Sequence, residues 1–141
     1  MTKSRELANF NPSVSATLTG AETLTNKTLT GLKLVKTAPT ISAGVVTLDL
    51  STANFFSIAL TSNITSFTLT NVPSTFFEFA IELIADGTAR TVTWTFSGVS
   101  ARWASGTAPT LTSTNTKRDT FVFYSHDSFA NICAFKAGQN L

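Results

Sequence analysis

From Ile41 onward the chain alternates apolar and polar residues with a period of two. Val46, Leu48 and Leu50 share one parity, and Phe77, Phe79, Ile81 and Leu83 share another, with Glu78 and Glu82 between them. Successive side chains of a strand point to opposite faces, so this pattern predicts strands with one buried and one wet face. Val92, Trp94 and Phe96 alternate with Thr91, Thr93 and Thr95, and further alternating runs span 55–61, 64–70, 119–125 and 129–136. Turn-forming residues separate them: Ala43-Gly44, Ser62-Asn63, Asn71-Val72-Pro73-Ser74, Asp86-Gly87, Ser97-Gly98, Ser105-Gly106 and Ser113-Thr114-Asn115. Short alternating strands at this spacing predict an all-β fold, an antiparallel β-sandwich or jelly roll. Parallel pairing calls for helical crossovers that the pattern lacks.

The first third reads differently. Of twelve Phe residues only Phe10 precedes residue 38, and both Trp and the one Tyr follow it. The leading segment therefore lacks the large side chains of a core. It carries instead a near-repeat, Thr17-Leu18-Thr19, Thr23-Leu24-Thr25 and Thr28-Leu29-Thr30. Its leucines are too irregularly spaced for a helical stripe, and Thr-rich flanks favour extended backbone. Residues 1–37 are expected to form an extended N-terminal arm, and residues 38–141 the β-sandwich domain. A lone extended segment satisfies its backbone groups against a partner, so Leu18, Leu24, Leu29, Leu32 and Leu34, with Lys27 among them, are the candidate interface residues.

Length and charge narrow the function. A chain of 141 residues has room for one core. It holds 26 Thr and 15 Ser against 18 charged residues, so its polar surface is mostly hydroxyl. The net charge of +2 and the lack of a basic run argue against nucleic-acid binding. Residues 1–37 carry Lys3, Arg5, Lys27, Lys33 and Lys36 against Glu6 and Glu22, a mildly basic leader on a near-neutral body. The most hydrophobic run, 76–85, contains Glu78 and Glu82 and is too short to span a membrane. The single cysteine, Cys133, excludes an internal disulfide and a CxxC metal site, and suits a reducing compartment.

Catalytic equipment is sparse. His126 is the only histidine, and although Ser125-His126-Asp127 mimics a triad in order, adjacent strand residues face opposite ways. Glu78 and Glu82 on one strand stand about 13 Å apart at ~3.3 Å per residue, wider than paired-carboxylate glycoside hydrolysis uses. Asp86 and Asp127 lack the clustered oxygens of a calcium loop. No enzyme activity, cofactor or metal is expected. Trp94 reads as core, whereas Trp103, before the loop 104–109, and Tyr124 are the candidate ligand contacts.

Several segments carry a resemblance. Leu24-Thr25-Asn26-Lys27-Thr28-Leu29-Thr30 is similar to a linker motif of tailed-bacteriophage fibre and other virion proteins. In the body, Asp49-Leu50-Ser51 through Phe55, Asn63-Ile64-Thr65, Asp86-Gly87-Thr88 with Arg90-Thr91-Val92-Thr93-Trp94, Trp103 with Gly106-Thr107-Ala108-Pro109-Thr110-Leu111, Asp119 with Phe121-Val122-Phe123, and Ala137-Gly138-Gln139-Asn140 together resemble a β-sandwich module of phage virion structural proteins. Such modules often carry an Asp-Gly-Gly turn and an aromatic residue before the final strand, where this chain has Asp127-Ser128-Phe129-Ala130-Asn131. The resemblance implies a capsid decoration, or cement, protein made in the host bacterial cytoplasm and placed on the capsid surface of the virion. Its partners would be the major capsid protein and sister copies, as a homotrimer. The alternative is a trimeric tail-fibre or receptor-binding module touching host glycan through Trp103 and Tyr124.

Overall fold

The computed structural model describes residues 35–141; the arm residues Leu18, Leu24, Lys27, Leu29, Leu32 and Leu34 lie outside them. The described chain is all-β. Nine strands follow in order: β1 (Lys36–Thr37), β2 (Val45–Asp49), β3 (Phe55–Leu60), β4 (Ser66–Thr70), β5 (Phe77–Ala85), β6 (Thr95–Phe96), β7 (Val99–Trp103), β8 (Arg118–Ser125) and β9 (Ile132–Gly138). They form one mixed sheet in the order β1-β3-β5-β8-β9-β7-β6-β4-β2.

The expected antiparallel arrangement is corrected here. β1, β3 and β5 run parallel to one another, as do β2, β4 and β6, and β7 is parallel to β9. Only β5–β8, β8–β9 and β6–β7 are antiparallel. A parallel pair needs a crossover of a dozen or more residues, and here a strand supplies it. β4 connects β3 to β5, while β3 connects β2 to β4, so each half of the sheet is the return path of the other. The premise that a crossover must be helical was the error.

The sheet curls so that its two halves meet. Phe96 on β6 lies four strands from β5 in sheet order, yet its ring centroid is 5.6 Å from that of Phe79 and 4.9 Å from that of Phe123. Phe67 stacks on Phe96 at 4.8 Å and on Trp94 at 5.6 Å. Phe56, Phe67, Phe79, Phe96, Phe121 and Phe123 are all fully buried in this interior. Among the described residues, every fully enclosed member of the core cluster falls between Val46 and Ala134.

Turn chemistry sets the hairpins. Ala43 and Gly44 have φ of 50° and 80°, and Ser42 and Val45 exchange two backbone hydrogen bonds of 2.9 Å around them, the geometry of a two-residue hairpin loop with both φ positive. A Cβ at Gly44 would meet Thr65 Oγ1 at 3.0 Å, so both conformation and space demand glycine. Ser97-Gly98, with φ of 43° and 91°, repeats the device between β6 and β7. β7 itself was not foreseen, although turn signals bracket it on both sides.

The same backbone bonds blunt one sheet edge. Val45 turns both its amide and its carbonyl to Ser42, and the Asp49 carbonyl accepts from Thr52 N at 3.2 Å. On that edge of β2 this leaves Thr47 as the one residue, among the described residues, with both backbone groups unengaged. Asp119, 2 % exposed, accepts from the backbone N–H groups of Thr112 (2.6 Å) and Asn140 (3.0 Å), and so ties the loop after β7 and the chain end to β8.

Phe96→Ala, which removes the ring shared by both halves, is expected to cost about 3–5 kcal/mol, a large share of a domain's usual 5–15 kcal/mol or so. The urea midpoint checks it, and a loss under about 1 kcal/mol would show that the halves are held together some other way.

Candidate functional site

Trp103 ends β7 with its ring turned to the core side of the sheet. It meets Trp94 at 5.3 Å and 73°, Phe121 at 5.7 Å and 85°, and Phe123 at 5.9 Å and 75°. Edge contacts of this kind fix a ring by packing. The rest of Trp103 floors an open groove of about 410 Å³, with Ala104, Ser105, Thr107 and Pro109 on one wall and Phe135 and Lys136 on the other. Two polar side chains at this rim already have partners: Ser105 Oγ donates to the Thr107 carbonyl at 3.0 Å, and Lys136 Nζ donates one bond to Gln139 Oε1 at 3.0 Å. The groove offers apolar contact more than hydrogen-bonding specificity. Trp94 is 7 % exposed and belongs to the core, as its alternation predicts.

Tyr124 lies on the opposite face. Its ring stacks on Phe135 at 5.8 Å and 10° and leans on Phe76 at 6.1 Å and 33°. The Cys133 thiol across the strand pair pushes the Tyr124 pKa up. Trp103 and Tyr124 are thus not brought together. Phe135 touches both environments, lining the Trp103 groove and stacking on Tyr124.

Sequence reasoning missed Phe135 and Phe76. The signal was present: Ile132 and Ala134 point inward, so Phe135 must point outward, and Phe76 and Phe77 as neighbours cannot both be inside. Phe76 is 59 % exposed and Phe135 42 %.

The three residues with triad-like order do not form a relay. Ser125 Oγ is buried and donates directly to Asp127 Oδ1 at 3.0 Å, while the His126 ring lies 6.2 Å from that of Tyr124. Asp127 organises the β8–β9 turn. It accepts from the Asn131 side-chain amide and from Asn131 N (3.0 Å), and these bonds, with Ser125, hold its carboxyl at about 2. Ser128 and Phe129 in that turn have φ of 55° and 73°. The turn thus keeps the backbone that glycines adopt easily, using two residues with a Cβ.

Three other carboxylates also lock local structure. Asn71 and Ser51 hold Asp49 below the usual range, and Arg90, 2.7 Å away, does so for Asp86. Partial burial pushes Glu82 up, but the Ser57 hydroxyl (2.7 Å), Arg118 (3.0 Å) and Lys36 (3.6 Å) together outweigh it, and its net shift is downward. Among the described residues no three His, Cys, Asp or Glu side chains gather as a metal site would require. Comparison with known protein families, curated proteins and solved structures finds no match to this chain.

A carboxylate whose folded pKa is depressed contributes stability above its unfolded pKa, near 4, and loses it as pH falls through the folded value. Stability is therefore expected to be level above pH of about 5 and to fall between about 4 and about 2. Asp127→Asn should flatten the lowest part of that fall, because Asp127 titrates at about 2. Urea midpoints measured across this range check both statements.

Proposed function

We propose that this chain is a virion structural protein of a tailed bacteriophage, a capsid decoration protein that fastens to the outside of the shell. In this reading the curled sheet is a β-sandwich of jelly-roll character, and residues 1–37 are a strap reaching neighbouring capsid subunits and sister chains. The observation that carries it is the contrast between a body built round an aromatic core and a leader that is poor in aromatic residues and carries the Thr-Leu-Thr near-repeat. Among the described residues the fully enclosed core members lie between Val46 and Ala134, and β1 pairs with β3 at the sheet edge through Lys36 and Thr37. Residues 1–37 hold one of the twelve Phe residues and neither Trp. The ordered series of resembling segments in the body supports the same reading.

A second reading rests on the Trp103 groove: a fibre or receptor-binding module whose floor ring takes host glycan. The partly buried Trp103 and the groove's apolar lining favour it. The engaged rim groups do not, because sugar recognition depends on free hydrogen-bonding partners beside the ring.

Purified protein added to shells stripped of it is expected to rebind at the head and to raise the temperature at which the shells open. No rebinding, or labelled protein seen only on tails, would overturn the decoration reading. In the second case, host adsorption unchanged by Trp103→Ala would remove the glycan reading too.

A further inference from the structure

The outer face of the β3-β5-β8-β9-β7 region departs from the hydroxyl surface of the rest. Strand register aligns Glu78, Tyr124, Cys133 and Arg102 in one row across β5, β8, β9 and β7. The next row runs Phe55, Ala80, Val122 and Phe135, and Phe76 extends the patch beyond the first. A contiguous aromatic patch on an outward sheet face marks an interaction surface. Its charges are arranged to match. Glu78 and Arg102 are both exposed, neither has an ion-pair partner among the described residues, and they end the row on opposite sides, about 14 Å apart over three strand spacings of ~4.8 Å.

We propose that this face binds a second copy of the chain, face to face, across a two-fold axis that lies in the interface plane, parallel to the strands and passing between Tyr124 and Cys133. A single face that carries both members of a complementary pair, at opposite ends of a row of rings, is self-complementary under such an axis. Turning the row end for end sets each Glu78 against Arg102 of the other copy and packs ring on ring. A head-to-tail contact would need two different patches, whereas here one patch holds both signs. The face measures about 19 Å across four strand spacings and about 20 Å along six residues. That is on the order of 400 Å² per copy, about half the area of a standard interface, so the dimer is weak and concentration-dependent. The contact uses no residue before 55 and stands or falls independently of the virion reading.

Sedimentation equilibrium of the full chain from micromolar to millimolar concentration is expected to show a monomer–dimer equilibrium that saturates at the mass of two chains. Glu78→Arg and Arg102→Glu should each weaken it by about tenfold, since each reversal acts twice across the axis. The combined swap should restore it, and Phe135→Ser should abolish it. All three positions are exposed, so the fold tolerates these changes. A short thiol-to-thiol crosslinker should join the single Cys133 of two copies in wild type and not in Phe135→Ser. A one-chain mass at every concentration overturns the proposal. So does self-association that is indifferent to Phe135→Ser and to both single reversals, or a limiting mass of three chains.

Discussion

The structure depends on one shared aromatic interior. A sheet with alternating buried and wet positions cannot stand alone in water, because its apolar face must be covered. Here the cover is the same sheet, curled until Phe96 from one half reaches Phe79 and Phe123 from the other at 5.6 and 4.9 Å. Neither half could keep its apolar face dry without the opposite one, and the described residues include no helix with which to replace it.

That constraint also explains the strand directions. When the chain crosses from one half to the other with almost every element, each half receives every second strand, and strands that arrive after a full circuit arrive in the same direction. Parallel neighbours such as β3 and β5, or β2 and β4, follow from the winding. Parallel pairing is usually found with both faces covered, but β2 and β4 each bury only alternate residues. The outer positions of these strands hold Thr47 and Thr68, which keep β preference while facing water.

Much of this was legible from residue order. Alternation located β2, β3, β5 and β8 to within a residue or so, and paired turn residues such as Ala43-Gly44 and Ser97-Gly98 located hairpins whose positive φ values they supply. Burial of Trp94 followed from its parity. The direction of pairing was not legible, because a local period of two reports which face a residue takes and nothing about which strand lies beside it. β7 escaped because Val99 and Ala101 are small and its outward residues are Ser100 and Arg102, so its apolar contrast is weak. Of the two candidate ligand residues, Trp103 does border a groove, whereas the surroundings of Tyr124 depend on Phe76 and Phe135, which come from other strands and only register can bring beside it.

The outward rings are the clearest departure from the chain's own habits. Thr47, Thr68, Ser100 and Thr120 fill outward strand positions elsewhere, and Thr would satisfy strand geometry at 135 equally well. Strand preference therefore does not account for Phe135, nor does the core, which is closed on the other side of the sheet by Ile132 and Ala134. Stacking on Tyr124 recovers part of the exposed area, yet Phe135 and Phe76 keep 42 % and 59 % of theirs. Exposed aromatic surface favours any contact that covers it, by roughly 25 cal/mol per Å² removed from water. With the β2 edge closed by its own turns, strand addition there has little backbone to pair with, and covering a face is the cheaper route to association. The opposite charges at the two ends of the ring row then restrict which surface can do the covering, since a partner must present its own acid and base in the reverse order.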